Sequence, residues 1–195
     1  MTANSYKKIA LIGGIASGKS VVSGIMSELG AYKIDADEGE VGARGVVAHG
    51  TAGEKKLIKA FPTCVVDGAV DRRKLRELVF SDKTMLEKLN GITHPLIKKR
   101  IAALVAESDG VSVTVMPLPF DLKNYDVVVS VYALPLKRIN RLVLRDNISM
   151  QTAQSMISAQ WSDQKMLTSS DFVFVNDGDL TKIRAAVEEW WHSYV

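Results

Sequence analysis

One cysteine, Cys64, stands in a chain of 195 residues, so no disulfide can close within it and its folded state rests on buried apolar surface and hydrogen bonds. That fits a reducing compartment. No histidine lies close to Cys64 in sequence, which makes it a small half-buried residue in preference to a catalytic thiol. Long apolar runs are also missing: none reaches the roughly 18 residues that a membrane span requires. The short run behind Lys7 and Lys8 leads straight into a glycine loop and has no small-residue cleavage site, so a secretory leader is not expected either. Excess charge of one sign is small, a net +3, and nothing in it demands a nucleic acid; a mild basic bias serves phosphorylated small molecules equally well. Repeats and low-complexity segments are absent, and a hydrophobic content of 47% argues against disorder. The expectation is a soluble, cytoplasmic globular protein without nucleic-acid or membrane partners.

What is present is a phosphate-binding signature. Gly13-Gly14-Ile15-Ala16-Ser17-Gly18-Lys19-Ser20 has the spacing G-x-x-x-x-G-K-[ST]. The apolar run Ile9 to Ile12 precedes it as a strand, and Val22, Ile25, Met26 and Leu29 follow at helical spacing. Strand, glycine loop and helix are the context this motif needs. Glycines let the loop curl so that backbone N–H groups and the helix N-terminus converge on one anion. Lys19 adds a positive charge for the β- and γ-phosphates, and the Ser20 hydroxyl is a ligand for Mg²⁺. A glycine turn that merely caps a helix would not require the full spacing.

Ala31 to Ile34 reads as a second strand running into Asp35-Ala36-Asp37. Carboxylates just past a strand lie where α/β proteins bind ligands, so Asp37 is either a general base or metal-shell residue, or the cap of the next helix. From about 38 to 108 the pattern is helical, near 39–48, 52–60, 71–80, 82–91 and 95–107, with few strand candidates; Thr93-His94-Pro95 breaks the pattern, its proline fitting the first turn of a new helix. Such a block reads as an insertion carrying a substrate site. Arg44, Arg72, Arg73 and Lys98-Lys99-Arg100 could receive an anion there or form solvated helix faces. His94 is a polar substrate contact or a structural residue.

Val111 to Met116 is the third strand, stopped by Pro117-Leu118-Pro119-Phe120-Asp121, and Val127 to Val131 reads as a buried parallel strand. Asp121 falls where an acid helps position metal or substrate. The next helix carries Arg138, Arg141 and Arg145 on one face, either closing on a transferring phosphoryl group or facing solvent. Helices at 149–159 and 162–167 could serve as a lid. Phe172 to Val175 is the last strand, followed by the turn Asn176-Asp177-Gly178 and a final helix capped by Asp179.

Taken together, IGGIASGKS, IDAD with Arg44 seven residues beyond it, DRRKLRELVF, THPLI, PLPFD, RLVLRD, Ala159-Gln160 and SSDFVFVND resemble, in this order, the dephospho-CoA kinase family. The resemblance runs almost end to end. It implies an α/β P-loop NTPase core with a parallel sheet flanked by helices (1–36 with 109–134 and 168–195), a helical CoA-binding insertion (37–108) and a small helical lid (135–167). It implies transfer of the γ-phosphoryl group of ATP, with Mg²⁺, to the 3′-hydroxyl of the dephospho-CoA ribose, by a monomer or weak oligomer. By the same resemblance the base falls on Asp37, the lid arginine on Arg141 with Arg145 in support, the acceptor contacts on Arg44, His94 and Arg72, and the turn near adenine on Asn176. Together with the loop Gly14 to Ser20, Lys19 among them, these are the expected site. Two features depart from the family pattern: the family's Pro-Leu-Leu-x-Glu is Pro117-Leu118-Pro119-Phe120-Asp121 here, and Val115 stands where many members have Asp. Both bear on the metal shell and on Asp121. The rivals are a nucleoside-monophosphate-type kinase, separated by its acceptor, and a nucleotide-dependent switch, against which the absence of N-K-x-D argues if the nucleotide were GTP.

Overall fold

In the structure, a computed structural model that describes residues 7–36, 42–116 and 119–195, the apolar run before the glycine loop is strand β1 (Lys8–Ile12). It is followed by α1 (Lys19–Glu28) and β2 (Tyr32–Asp35). A mainly helical stretch holds α2 (Ala43–Val46), α3 (Ala52–Ala60), β3 (Val65–Val66), β4 (Ala69–Val70), α4 (Arg72–Ser81) and α5 (Lys83–Glu107). The chain then continues through β5 (Ser112–Met116), β6 (Val127–Tyr132), α6 (Pro135–Asp146), α7 (Met150–Ser158), α8 (Asp163–Thr168), β7 (Phe172–Val175) and α9 (Leu180–Tyr194). It divides into two compact units, Met1–Ile34 with Ser108–Val195, and Asp35–Glu107.

The first unit is built on a five-stranded sheet of order β2-β5-β1-β6-β7. β1 runs parallel to both β5 and β6, with Leu11 opposite Val115 and Val129, and β6 runs parallel to β7. Parallel strands covered on both faces are mostly apolar, and β5 and β6 follow this: Ser112–Met116 and residues 127–131 are all buried, with Ser112, Thr114 and Ser130 the polar residues among them. Alternation sorts β1 between two cores. Ile9 and Leu11 join Val22, Met26, Ile183, Val187 and Trp190 from α1 and α9, while Ala10 and Ile12 join Met116, Val128 and Met166 from α8. The glycine loop therefore leaves the carboxyl end of a central strand, where the chain diverges to opposite sides and ligands bind in this class of sheet.

The second unit has its own core of Val47, Leu57, Phe61, Cys64, Leu75 and Val79. Cys64 is a buried free thiol within it. Between the helices expected at 52–60 and 71–80 lies an antiparallel hairpin, β3 with β4, closed by Asp67-Gly68 with both residues at positive φ, the two-residue turn that Asp-Gly favours. One expectation is corrected here. The break expected at Thr93-His94-Pro95 does not occur: α5 runs through Pro95. A proline crowds the carbonyl four residues back and withholds one N–H. Leu89, Ile92 and Leu96 pack on the same core from both sides of Pro95, so tertiary burial outweighs the local loss.

Candidate active site

The neighbours of the glycine loop leave no room for a side chain at three places, the first being Gly13, where a Cβ would strike Val131 O. A Cβ on Gly14 would strike the guanidinium of Arg138, and one on Gly18, which also sits at φ 105°, would strike Asn176 Nδ2. Gly18 is the N-cap of α1, no side chain caps that helix, and its first turn holds no acidic residue. Val21 N turns back to Gly18 O at 3.0 Å, while the other N–H groups of a first turn have no acceptor four residues back and with the helix dipole favour an anion. Lys19 lies half-buried with Nζ donating to Gly13 O at 2.8 Å and Gly14 O at 3.3 Å, and Ser20 is exposed on the first turn.

Side chains from α6 and from the end of β7 grip the outer side of the loop. Arg138 Nε donates to Ile15 O at 2.9 Å, and Arg141 Nη1 donates to Ala16 O at 3.0 Å and Ser17 O at 3.3 Å. Asn176, 4% exposed, donates from Nδ2 to Ser17 O at 2.9 Å and accepts from Arg141 and Gly178 N at Oδ1. In a planar trans peptide the N–H points away from the C=O. Anchoring the carbonyls of Ile15 and Ser17 outward therefore turns the amides of Ala16 and Gly18 the other way, toward the concave side of the loop. The Ile15 amide is held differently, donating to Gln160 Oε1 at 2.6 Å.

The loop, Lys19, Ser20, Arg141 and Asn176 are thus brought together. Arg145 is not with them: it is exposed and makes two bonds to Asp146, at 2.7 and 2.8 Å, which hold the Asp146 carboxyl below its ordinary range. Asp121 lies on an exposed turn in left-handed backbone, φ 49°. Burial pushes the nearby Tyr125 hydroxyl above its ordinary range, and the Asp121 charge adds to that. Asp37 lies outside the described residues, as do Pro117 and Leu118. Arg44 falls in α2, with its backbone alone described.

Within the second unit, Arg72 opens α4 and donates to Val47 O at 3.3 Å. It lines a cavity of about 540 Å³ with Arg76 and Glu54, over apolar walls that include Leu57, Leu75 and Val79. The buried Glu54 carboxylate accepts from Gly50 N at 2.7 Å and faces His49 at 3.3 Å. The hydrogen bond from Gly50, with a smaller contribution from His49, holds its carboxyl below the ordinary range. His94 is exposed midway along α5.

Gln160, Asp163, Glu54 and Arg76 were not among the expected site residues, and Arg138, expected with Arg141 and Arg145 on one face either for the phosphoryl group or for solvent, is instead buried behind the loop on Ile15 O and Asp163. Arg138 carried a readable sign, since it shares the buried stripe of α6 with Ile139 and Leu142. Among the described residues no group of three or more His, Cys, Asp or Glu side chains could hold a metal ion. Nor is any helix among them long and apolar enough to cross a membrane.

The family model for dephospho-CoA kinase matches residues 7–182. A dephospho-CoA kinase of Streptomyces avermitilis is 38% identical over 195 aligned residues, covering 96% of this chain and 94% of that protein. The dephospho-CoA kinase of Moorella thermoacetica is also 38% identical, over 94% of this chain and 90% of its own. A solved crystal structure from Thermus thermophilus superposes with a TM-score of 0.79 at 26% identity, over 98% of this chain and all of that one. The phosphate loop and the matches that span nearly the whole chain lead to one conclusion: this protein belongs to the dephospho-CoA kinase family.

Proposed function

We propose that the protein transfers the γ-phosphoryl group of ATP to the 3′-hydroxyl of the dephospho-CoA ribose, giving coenzyme A and ADP. The observation that carries this is the phosphate loop at the uncapped N-terminus of α1, in a chain of this family. Phosphoryl transfer needs little covalent assistance, so the site must position the reactants and neutralise charge. In this reading the amides from Gly14 to Ser20 and the Lys19 ammonium hold the β- and γ-phosphates. Lys19 rests on the loop carbonyls of Gly13 and Gly14 and exchanges them for the phosphates. Arg141 is the side chain that meets the charge growing on the transferring group, which requires it to leave the carbonyls of Ala16 and Ser17 that it now holds. Arg145, bonded to Asp146 outside this cluster, would have to leave that partner to support it, and Asn176 sets the turn beside the nucleotide base.

The exposed Ser20 hydroxyl fits Mg²⁺, a hard ion that takes one or two protein oxygens and fills the rest of its shell from phosphates and water. When bound, the ion neutralises charge across the β- and γ-phosphates. Asp37, through the resemblance, accepts a hydrogen bond from the ribose hydroxyl and orients it. Arg44, Arg72 and His94 are the acceptor contacts of the second unit, supported by the cavity that Arg72 lines, and Asp121 is an acid of the first unit for metal or substrate. In domain terms, 37–108 is the acceptor insertion and 135–167 the lid on the core. The enzyme works in the cytoplasm as a monomer or weak oligomer.

A coupled assay of ADP release with Mg-ATP, with and without dephospho-CoA, tests the reading, with product mass as the second readout. ADP release that requires dephospho-CoA and yields coenzyme A is the expected result. Release that ignores it, or that responds to nucleoside monophosphates instead, overturns the reading.

A further inference from the structure

We infer that Arg138 and Asp163 are a positioning pair for the phosphate loop, holding its Gly14–Ala16 segment in the shape that receives phosphates. The inference rests on the reading of the loop as the ATP site. Arg138 is 1% exposed and is the largest fully buried side chain described. A guanidinium so placed must be compensated, since an apolar side chain of similar volume would cost less to bury. Its compensation is directional: Nη1 donates to Asp163 Oδ1 at 2.6 Å, and Nε to Ile15 O at 2.9 Å. The remaining nitrogen, Nη2, is buried with no hydrogen-bond partner and lies against Gly14. Packing alone would not orient a charge in this way. The carboxylate partner sits at the start of α8, so the pair ties that helix to the loop.

The segment it braces is strained. Ala16 has φ 59°, left-handed backbone that a residue with a side chain adopts only when its surroundings over-determine it. The carbonyls on either side supply that restraint, Ile15 O taking Arg138 and Ala16 O taking Arg141. Buried at 1% exposure, with Nε and Nη1 committed to Ile15 O and Asp163, Arg138 acts through the loop it holds, which makes it a positioning residue.

The test separates loop shape from stability. Arg138→Met, Arg138→Lys, Asp163→Ala and the double variant Arg138→Met with Asp163→Ala are compared in the full chain, with ATP binding followed by calorimetry and unfolding by thermal melting. Asp163→Ala leaves an uncompensated buried charge and lowers the melting temperature, and the double variant recovers it. ATP affinity falls by about tenfold or more in both Arg138→Met and the double variant, because the brace is gone in each. Arg138→Lys, able to reach Asp163 or Ile15 O but not both, recovers part of the affinity. An affinity that returns with the melting temperature in the double variant overturns the pair as a positioning device, as does wild-type affinity in Arg138→Met. Wild-type protein that binds ATP but forms no coenzyme A refutes the acceptor assignment and leaves these affinity comparisons intact.

Discussion

Asn176 and Arg141 lock one another behind the phosphate loop: Asn176 Oδ1 accepts from Arg141 Nη2 at 3.2 Å, while Asn176 Nδ2 donates to Ser17 O at 2.9 Å. Arg141 adds its own bonds to Ala16 O and Ser17 O, so both side chains converge on one peptide of the loop. Asn176→Ala strips a buried network of its centre and costs about 1–3 kcal/mol of stability. Arg141→Lys keeps the charge but loses the fork, and turnover drops about a hundredfold or more. Melting curves and steady-state kinetics on the two variants separate the structural share from the catalytic one: Asn176→Ala moves the melting temperature most, and Arg141→Lys moves kcat most.

The base and the loop lysine differ in what they do to ATP. Asp37→Asn removes the group that orients the ribose hydroxyl, so kcat falls by about 10²- to 10⁴-fold while ATP affinity stays where it was. Lys19→Ala removes a charge that holds phosphates in both ground and transition states, so affinity and turnover fall together. Direct ATP titration beside turnover distinguishes them. Near-normal turnover in Asp37→Asn removes Asp37 as the base.

On the acceptor side, Arg72 reaches into the cavity of the second unit and is supported there by Val47 O. Arg72→Met keeps the length and the apolar stem and removes the cation. The KM for dephospho-CoA rises about tenfold, the loss of one charge-assisted hydrogen bond, and the KM for ATP is unchanged. An equal rise in both would point to a disturbed fold and not to a lost contact.

Glu54 ties α3 to the turn before it through Gly50 N and His49. Its folded carboxyl titrates below 4.5, its ordinary value, so the carboxylate stabilises the second unit above that pH. The contribution declines as pH falls below 4.5 and is gone once the folded carboxyl is protonated. Glu54→Gln therefore melts below wild type at pH 7, and the gap between the two narrows on acidification from pH 5 to pH 3. A gap that is constant over that range denies Glu54 this role.

The parts legible in the sequence are those in which local chemistry and global fold agree. The loop spacing, the β-branched runs of β5 and β6 and the serines that cap α7 and α8 each depend on neighbours in sequence. The Asp67-Gly68 hairpin was equally local, a turn signal between short apolar pairs, but it is hard to see inside a stretch of helical periodicity. Pro95 illustrates the opposite case, a local break overridden by Leu89, Ile92 and Leu96 packing on a core assembled from residues far along the chain. Arg138 and Gln160 could not be assigned from spacing, because a buried guanidinium and an amide bond to Ile15 N depend on contacts more than a hundred residues away. Sheet order is likewise non-local: β5 enters between β1 and β2 only after the whole helical block has been traversed.

Gly18 joins the geometry of the loop to the network behind it. Its φ of 105° is costly for any residue with a side chain, and its missing Cβ is the space that Asn176 Nδ2 fills. Gly18→Ala must displace Asn176, which then releases Ser17 O and its bond to Arg141. The sheet and its two cores do not depend on that contact, so circular dichroism stays native while ATP binding is lost. Gly24→Ala is the control: a Cβ there meets nothing within 4 Å, and the change adds helix propensity in the middle of α1. If Gly18→Ala and Gly24→Ala bind ATP equally well, the loop does not depend on the close approach of Asn176, and the network behind it is structural only.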